Sequence, residues 1–599
     1  MSLLKSIKYF SFSFSILFFS LAYAETDNDF IQTSSGKVLY QKTNGILLWE
    51  DIPFALPPIG NLRWKAPKEF NNPEIIIKPK TMNFCHQEVG GEIQEIYEEG
   101  SEDCLYLDIR APITKKKDLP VMFWIHGGGN TSGHKDFYDF SKLVKRQDVI
   151  VVSTNYRLGP LGFFTHPAIN DLNSGIDQTS NFGTLDIILA LEWVNKNIES
   201  FGGNPNNITI FGESAGGHNV FSLLVAPQAK GLFHKAISQS GYTKSSTLED
   251  AYKSKFYNQK KTSDSWTVLN KILIKENLVN DFYEADSYQE KSSNESLRNI
   301  LYEADAQELI NFYGDTFEIP LLTNDGIVIP KIGLLEALGS DKYLYKVPTI
   351  AGSNKDEIKL WIAFSEYFLE SEDTFLSKTL GIPKLKIKDE DKYAFYSSIR
   401  AAGWQLRGVQ EPLESIFNAG NNDIYAYRFD WDNLRNFFIG DFGEILGAAH
   451  ALEIPMVSGD YNLADEFKWI VYPRSPSRRF VSKNMMNFWS NFAREGVPGN
   501  STNKISWTKY DPLKDMSILH IDEKKSLKVS KLDLNLDILV EDILNTTKLN
   551  IEEKCIILYE TTNYIGDNSF EKYVNKLPYE CSRDEALRIS EKNSSYIKL

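Results

Sequence analysis

The segment Gly212-Glu213-Ser214-Ala215-Gly216 is the part of this chain whose residue types and spacing most clearly suggest chemistry. A serine in the spacing G-x-S-x-G is typical of a nucleophile carried on a sharp turn from a strand to a helix. An apolar run at 208–211 precedes the motif, and an apolar pattern with helical spacing at 220–224 follows it. Glycines on both sides leave room for the strained backbone that such a turn requires. The pattern predicts that Ser214 is a nucleophile, and an incidental serine in a tight turn is the weaker alternative.

A second motif, His126-Gly127-Gly128-Gly129, follows the apolar run at 121–125. Consecutive glycines allow backbone N–H groups to approach a reacting carbonyl, and an acyl-transfer intermediate needs such donors about 3 Å from its oxyanion. By itself the run is equally compatible with a flexible loop. Beside a nucleophile turn it favours an oxyanion hole, which the N–H of Ala215 would complete.

A serine nucleophile also needs a base and a group that orients the base. In the hydrolases that use such a turn, the chain order is serine, acid, histidine. Of the eight histidines, only His450 and His520 lie far enough downstream to follow another strand. His520 lies in an alternating apolar stretch, which favours a structural role, whereas small residues flank His450 and suit a crowded pocket. For the acid, Asp356 and Glu357 both follow a predicted strand, and periodicity does not choose between them.

These residues require a scaffold that brings distant segments together. Apolar runs at 121–125, 149–152, 208–211, 348–351 and 424–429 read as buried strands. A helical pattern at 184–200 lies between two of them. Strands buried on both faces and separated by helices predict a mostly parallel sheet in an α/β protein.

Two stretches interrupt this alternation. Residues 243–300 are polar and rich in Ser and Lys, and residues 365–415 have a mixed helical pattern. Both are interpreted as insertions over one sheet rather than as separate domains. Residues 533–599 read as a mostly charged tail region.

Composition excludes several classes of protein. The 599 residues include 65 Lys+Arg and 80 Asp+Glu, for a net charge of −15, and 42% are hydrophobic. This is ordinary globular composition, which argues against a disordered, collagen-like or coiled-coil protein. The acidic balance argues against a protein held on nucleic acid by its overall field.

The first 24 residues read as a signal peptide. Lys5 and Lys8 precede an apolar segment at 9–21, and Ala22-Tyr23-Ala24 is an A-x-A cleavage site. A membrane anchor is the alternative, but the apolar run falls short of the about 20 residues that span a bilayer. We therefore expect export to the periplasm or secretion, no stable membrane anchor, and a single domain over residues 25–599.

Export changes how the four cysteines are interpreted. An even number in an oxidising compartment predicts two disulfides, and pairing of sequence neighbours gives Cys85–Cys104 and Cys555–Cys581. A zinc site is the rival interpretation, but no pair has C-x-x-C spacing and no histidine cluster lies near. We expect no metal and no cofactor.

The chain resembles the type-B carboxylesterase family, which includes cholinesterases and para-nitrobenzyl esterases. The resemblance covers roughly residues 33–530 and rests on several specific motifs in one order. These are Ile52-Pro53-Phe54-Ala55-Leu56-Pro57-Pro58, Glu102-Asp103-Cys104-Leu105-Tyr106-Leu107, Asn155-Tyr156-Arg157-Leu158-Gly159, Phe201-Gly202-Gly203-Asn204-Pro205 and Phe211-Gly212-Glu213-Ser214-Ala215-Gly216-Gly217. It implies an α/β-hydrolase fold, with helices on both faces of the sheet and helical insertions above the active site.

The resemblance also implies roles for individual residues. It makes Ser214 the nucleophile, Glu357 the acid and His450 the base of a carboxylic ester hydrolase that acts through an acyl-enzyme. Gly128, Gly129 and Ala215 match the oxyanion donors, and Cys85–Cys104 matches the N-terminal disulfide loop. The expected partner is a small ester; the oligomeric state is left open. A lipase with a lid and a non-catalytic cholinesterase-like binding protein are the alternatives.

The chain departs from the family pattern in three places, one of which is the missing partner of the family's third disulfide, so that the pairing of Cys555 with Cys581 rests on proximity. Ile358 follows the acid where the family often has glycine, and the loop between Cys85 and Cys104 contains no Trp. In cholinesterases a Trp in that loop binds the quaternary ammonium through its ring face. We therefore expect uncharged short- to medium-chain esters as substrates, with Tyr97 or Trp361 as the first alternatives for an aromatic cation site.

Overall fold

A large mixed sheet organises the molecule. The computed structural model describes residues 30–79, 83–87, 100–254, 264–314, 320–372, 384–462, 468–563, 569–577 and 581–592. The central sheet is 11-stranded, with the spatial order β11-β10-β9-β8-β7-β6-β4-β5-β3-β2-β1. Its strands are β1 (Gln41–Thr43), β2 (Ile46–Pro53), β3 (Tyr106–Pro112), β4 (Leu119–Ile125), β5 (Ile150–Thr154), β6 (Gly203–Glu213), β7 (Lys235–Gln239), β8 (Thr349–Asn354), β9 (Ile424–Phe429), β10 (Ser517–Ile521) and β11 (Lys528–Lys531).

The middle of the sheet, from β5 across to β10, is parallel, and antiparallel pairs lie at both ends. The strand ends are in register: Ile125 of β4 pairs with Gly212 of β6, and Gln239 of β7 pairs with both Glu213 and Gly352. Segments that leave these strands therefore emerge along one edge, which is where α/β sheets place their ligand sites.

Two apolar cores lie on opposite faces of the sheet because strand side chains alternate. Val121, Phe123 and Ile125 of β4 belong to one core, and Met122 and Trp124 belong to the other. Helix Phe182–Asn197 packs on the first face and helix Pro476–Glu495 on the second. The mostly parallel sheet predicted from the apolar runs is confirmed, as are the helices on both faces that the family resemblance implied.

Shorter elements connect this framework. Further helices span Ser141–Gln147, Gly159–Gly162, Pro167–Asn170, Ala215–Leu223, Leu334–Leu338, Lys359–Ile362, Phe442–Ile445, Ile454–Ser458 and Lys468–Val471. Small strands pair at Phe30–Gln32, Lys37–Leu39 and Ile76–Ile77, at Ser245–Ser246 with Leu322–Thr323, and at Asn436–Phe437 with Gly440–Asp441.

The polar stretch 243–300 is largely helical. It contains helices Leu248–Tyr252, Ser265–Lys275, Phe282–Lys291 and Asn294–Glu303, and helix Ala306–Gly314 follows. Several polar residues of this stretch cap its helices: Asp264, Asp281 and Ser293 each accept a backbone N–H at an N-cap. Apolar residues of these helices form a separate cluster with Trp64 and Phe164.

The second stretch, 365–415, packs with the end of the chain. It contains a hairpin of Leu369–Glu372 with Lys384–Ile387, helix Glu390–Gln405, a π-helical turn at Leu406–Gln410 and helix Glu411–Asn418. The region read as a charged tail folds into helices Leu536–Asn545, Ile551–Asn563, Ser569–Val574 and Arg583–Lys592. One apolar cluster joins the two segments, because each C-terminal helix carries an apolar face as well as its charges.

Both disulfides suggested by the sequence are formed. Cys85 and Cys104 have Cα atoms 4.9 Å apart, and those of Cys555 and Cys581 are 5.8 Å apart. Within the described ranges, no helix has the length and apolarity needed to cross a membrane.

Candidate active site

The turn that carries Ser214 has the strained backbone that its motif predicts. Ser214 follows β6 and precedes helix Ala215–Leu223, with φ 57° and ψ −122°. Both flanking glycines are sterically required, because a Cβ on Gly212 would lie 2.6 Å from the carbonyl carbon of Gly216. A Cβ on Gly216 would lie 2.1 Å from the carbonyl oxygen of Ile125. The amide of Ser214 donates to the carbonyl of Gln239 at 2.9 Å, which holds the turn at the sheet edge.

The glycine run after β4 passes directly against this turn. A Cβ on Gly127 would lie 3.0 Å from the Cβ of Ser214, so the two segments touch. Gly128 and Gly129 have φ values of 93° and 63°, which favour glycine. In the described part of the chain, the N–H groups of Gly128, Gly129 and Ala215 donate to no acceptor. The glycine loop therefore lies against the Ser214 turn, which is where an oxyanion hole would need it.

A polar network that the sequence did not suggest supports this loop. The hydroxyl of Tyr156 donates to the carbonyl of His126 at 2.9 Å. The side chain of Asn219 donates to Asn130 at 2.9 Å, and Asn130 donates to the carbonyl of Pro320 at 3.2 Å. Each partner comes from a different segment, so the loop is held from several sides.

The structure separates the two acidic residues that sequence periodicity left open. Oε2 of Glu357 lies 2.6 Å from Nδ1 of His450. The other oxygen of Glu357 accepts from the Ser240 hydroxyl at 2.7 Å and from the Asn354 amide at 2.6 Å. Asp356 instead accepts the Ala448 amide at 3.1 Å and pairs with Lys359 at 3.0 Å. Glu357 and His450 are therefore brought together, and Asp356 is not.

His450 lies at the serine turn, but its second ring nitrogen faces a carboxylate. Nε2 of His450 is 3.1 Å from Oε1 of Glu213, the residue immediately before Ser214. Among the described residues, no hydrogen bond joins the Ser214 hydroxyl to His450. Contacts of this kind often become well aligned only when substrate binds. The structure thus brings His450 to the residue next to Ser214 and shows no hydrogen bond between His450 and Ser214 among the described residues.

Buried carboxylates determine the electrostatics of His450. Burial acts to lower its pKa, but the charges of Glu213 and Glu357 outweigh burial and raise the pKa of His450 to about 9. Burial raises the pKa of Glu213 to about 8. Burial and the charge of Glu357 raise the pKa of Glu453, which accepts from Gln239 at 3.0 Å and from Asn354 at 2.7 Å. Two carboxyl groups that the sequence did not single out therefore lie beside His450.

Two tryptophans pack against the imidazole. The ring of Trp361 lies 5.0 Å from that of His450, and the ring of Trp404 lies 4.9 Å from it. Trp404 is fully buried and donates to the carbonyl of Ser240 at 3.1 Å, whereas Trp361 is half-buried. The sequence offered Trp361 as a residue to test but gave no sign of Trp404. Tyr97 lies outside the described residues.

His520, the other downstream histidine, is separate from this site. His520 is bound through Nδ1 to Asp430 at 2.8 Å and through Nε2 to Ser530 at 2.6 Å, so both nitrogens are used away from Ser214. Burial lowers the pKa of His126 to about 3, which keeps that residue neutral. The described residues contain no group of three or more His, Cys, Asp or Glu side chains that could hold a metal ion.

Comparison with known proteins identifies the family. The model of the carboxylesterase family matches residues 27–402 and 405–539. The chain belongs to the carboxylesterase family. It is 32% identical over 490 residues to the para-nitrobenzyl esterase of Bacillus subtilis, covering 80% of this chain and 92% of that protein. It is also 32% identical over 526 residues to carboxylesterase 1D of Rattus norvegicus, covering 80% and 87%.

Solved structures of this carboxylesterase's relatives agree. A PNB esterase superposes with a TM-score of 0.62 at 26% identity, over 84% of this chain and 97% of its own. A carboxylesterase of Geobacillus stearothermophilus has a TM-score of 0.61 at 25% identity, over 84% and 97%. The protein is a serine carboxylesterase with an α/β-hydrolase fold, acting on small-molecule esters. Neither the lipase nor the binding-protein alternative is favoured.

Proposed function

We propose that Ser214, His450 and Glu357 form the catalytic triad of this carboxylesterase. The observation that carries the proposal is the 2.6 Å contact between Glu357 and Nδ1 of His450 beside the strained turn of Ser214. A buried carboxylate in that position fixes the imidazole tautomer and stabilises the imidazolium that forms during reaction.

The reaction proceeds in two halves. The Ser214 hydroxyl attacks the ester carbonyl while Nε2 of His450 takes its proton, and the N–H groups of Gly128, Gly129 and Ala215 bind the oxyanion. The imidazolium then protonates the leaving alcohol, and the acyl group remains on Ser214. A water molecule repeats these steps on the acyl-enzyme and releases the carboxylic acid. Glu213, when ionised, attracts the imidazolium in each half.

Uncharged short- to medium-chain esters are the proposed substrates. The loop between Cys85 and Cys104 contains no Trp, so the ring that binds quaternary ammonium groups in cholinesterases has no counterpart there. An absent aromatic face forfeits about 2 kcal/mol of attraction for such a cation.

We propose export for the protein, with residues 1–24 removed and residues 25–599 forming one domain. The A-x-A site at Ala22-Tyr23-Ala24 and the two disulfides support this proposal. Mass measurement of the protein recovered outside the cytoplasm tests it, since a chain that begins at Glu25 is expected.

Ser214→Ala is the direct test of the proposed mechanism. We expect kcat for nitrophenyl butyrate to fall by about 10⁴-fold or more, since triad residues act as a unit. Wild-type protein should also take up one equivalent of a phosphonate inhibitor at Ser214, located by peptide mass. Hydrolysis by the variant at near the wild-type rate, with an unchanged melting temperature, would contradict the assignment.

Substrate charge is tested with thioesters. We expect kcat/KM for butyrylthiocholine to be at least roughly thirtyfold below that for a neutral butyrate thioester of similar size. The measurement belongs at about 0.15 M salt, where the protein's acidic field is screened. Faster hydrolysis of the choline thioester would indicate an aromatic cation site elsewhere, and Trp361→Ala would then locate it.

A further inference from the structure

Helix Ile551–Asn563 lies beyond the family match, which ends at residue 539. It nevertheless packs against the two segments that carry the tryptophans beside His450. Trp404 itself lies in the gap between the two matched ranges. The tryptophan side of the active site therefore packs on a helix that the family match does not include.

Two buried or half-buried carboxylates on one face of this helix make the contact. Glu553 and Glu560 are seven positions apart, which places them on the same side of a helix. Glu553 pairs with Lys392 at 2.7 Å and accepts the hydroxyl of Tyr367. Tyr367 follows the helix Lys359–Ile362, which carries Trp361.

Glu560 makes the same kind of contact two turns further along the helix. It pairs with the guanidinium of Arg400 and accepts the hydroxyl of Tyr396. The side chain of Arg400 is only 2% exposed, so this ion pair is shielded from solvent. Burial and the negative charge of Glu560 raise the pKa of Tyr396 well above its usual value, which keeps its hydroxyl a donor. Each carboxylate thus holds one tyrosine and one cation.

The contacts lead directly to the base. Arg400 and Trp404 are four residues apart on helix Glu390–Gln405 and so lie on one side of it. Trp404 contacts the ring of His450 and donates to the Ser240 carbonyl. The hydroxyl of Ser240 in turn donates to Glu357. Trp361 stacks on Trp404 at 6.0 Å. The disulfide Cys555–Cys581 ties the same helix to the last described segment.

We propose that Glu553 and Glu560 are positioning residues that hold Trp361 and Trp404 as the wall of the alcohol-binding side of the active site. The inference rests on the proposed triad, in which His450 protonates the leaving alcohol. Rings packed on His450 border the path of that alcohol. The wall therefore sets selectivity for the alcohol part of the ester and has little effect on the acyl part.

The test compares benzyl butyrate with ethyl butyrate, measured by acid release and normalised by active-site titration. Glu560→Gln and Glu553→Gln should each lower the benzyl-to-ethyl ratio of kcat/KM about fivefold, the size of one lost aromatic contact. The ratio of nitrophenyl butyrate to nitrophenyl acetate should stay within twofold. Glu585→Gln, which alters an exposed pair with Arg588 in the same C-terminal region, is the matched control and should change neither ratio.

Tyr396→Phe and Tyr367→Phe remove only a hydroxyl and repeat the test if the glutamine variants fold poorly. If the variants contain a smaller fraction of titratable active sites but keep both the benzyl-to-ethyl ratio and the butyrate-to-acetate ratio, the proposal is overturned. The helix would then be a structural support only. An equal change in the acyl ratio would also overturn the proposal. Failure of the triad is distinguishable, since wild-type protein would then fail titration itself.

Discussion

Two clusters of carboxylates each surround a buried basic side chain, and they are used in opposite ways. Glu213, Glu357 and Glu453 surround His450 at the carboxyl edge of the parallel strands. Asp51, Asp108 and Asp136 surround Lys135, which follows the glycine loop. Both clusters combine several anions with one central base, so their differences are informative.

The Lys135 cluster is centred on a permanent positive charge. Its ammonium lies 2.9 Å from Asp51, 2.9 Å from Asp108 and 2.6 Å from Asp136. Burial acts to lower the pKa of Lys135, but the three carboxylates raise it well above its usual value. Arg110 adds a second cation 3.8 Å from Asp108. Lys135 therefore stays charged at any ordinary pH and serves as a structural link.

The His450 cluster has a central group that can lose its proton. The raised pKa of about 9 keeps the imidazolium stable, yet within reach of deprotonation in mildly alkaline solution. Glu213 also has a raised pKa, of about 8, mainly through burial. An excess of buried anions around a titratable base is unfavourable for stability and useful for proton transfer. The two clusters therefore differ in whether the central group can exchange a proton near physiological pH, and the proposed triad uses the one that can.

The largest expected effect comes from Glu357→Gln. Without the carboxylate, His450 loses the partner that fixes its tautomer, and kcat for nitrophenyl butyrate should fall roughly ten-thousandfold. Asp356→Asn is the neighbouring control and should change kcat less than about tenfold, because Asp356 bonds Ala448 and Lys359 rather than His450. The reverse ranking would show that the acid has been assigned one residue too late.

Lys135→Met should affect stability instead. Removing the central cation leaves buried carboxylates unpaired, which costs roughly 3–5 kcal/mol of unfolding free energy. Lys509→Met breaks an exposed pair with Asp423 and should cost about 1 kcal/mol or less. Urea unfolding followed by circular dichroism measures both. Equal losses in the two variants would remove the distinction between the clusters.

Glu213→Gln should give the smallest change and the most specific one. His450 must be neutral to accept a proton, so kcat/KM should rise with pH through the imidazole titration, up to about pH 9. Removing the Glu213 charge lowers the pKa of His450. The rising limb of the kcat/KM profile should therefore move to lower pH by about one unit or more.

Lys135→Met supplies the control for that pH profile, because none of the described contacts joins the Lys135 cluster to His450. Its limb should stay at the wild-type position. An unshifted limb in Glu213→Gln would mean that Glu213 does not govern the base, despite the 3.1 Å separation from Nε2.

The parts of the site that depend on neighbours in sequence could be predicted. A strand, a serine between glycines and a helix specify the Ser214 turn, because backbone sterics act over a few residues. The clash distances at Gly212 and Gly216 show the same constraint in space. The continuous apolar run of β4 likewise predicted a strand buried on both faces.

Other parts depend on segments far apart in the chain, and pattern alone did not reveal them. Asp356 and Glu357 are adjacent carboxylates, and only the resemblance to a family distinguished them before the structure did. Glu453, Trp404 and Glu560 have no motif around them. The 533–599 region looked like a tail because its charges are frequent, although its apolar residues lie on one face of each helix.

The sequence by itself determined the nucleophile turn, the glycine loop, the α/β architecture and the chain's family, since each follows from local sterics, periodicity or several specific motifs. The tertiary structure decided which groups act on the base. A pKa is a sum of burial and charge over every neighbour in space. For His450 those neighbours come from the turn at Glu213, the loop at Glu357 and the helices bearing Trp361 and Trp404.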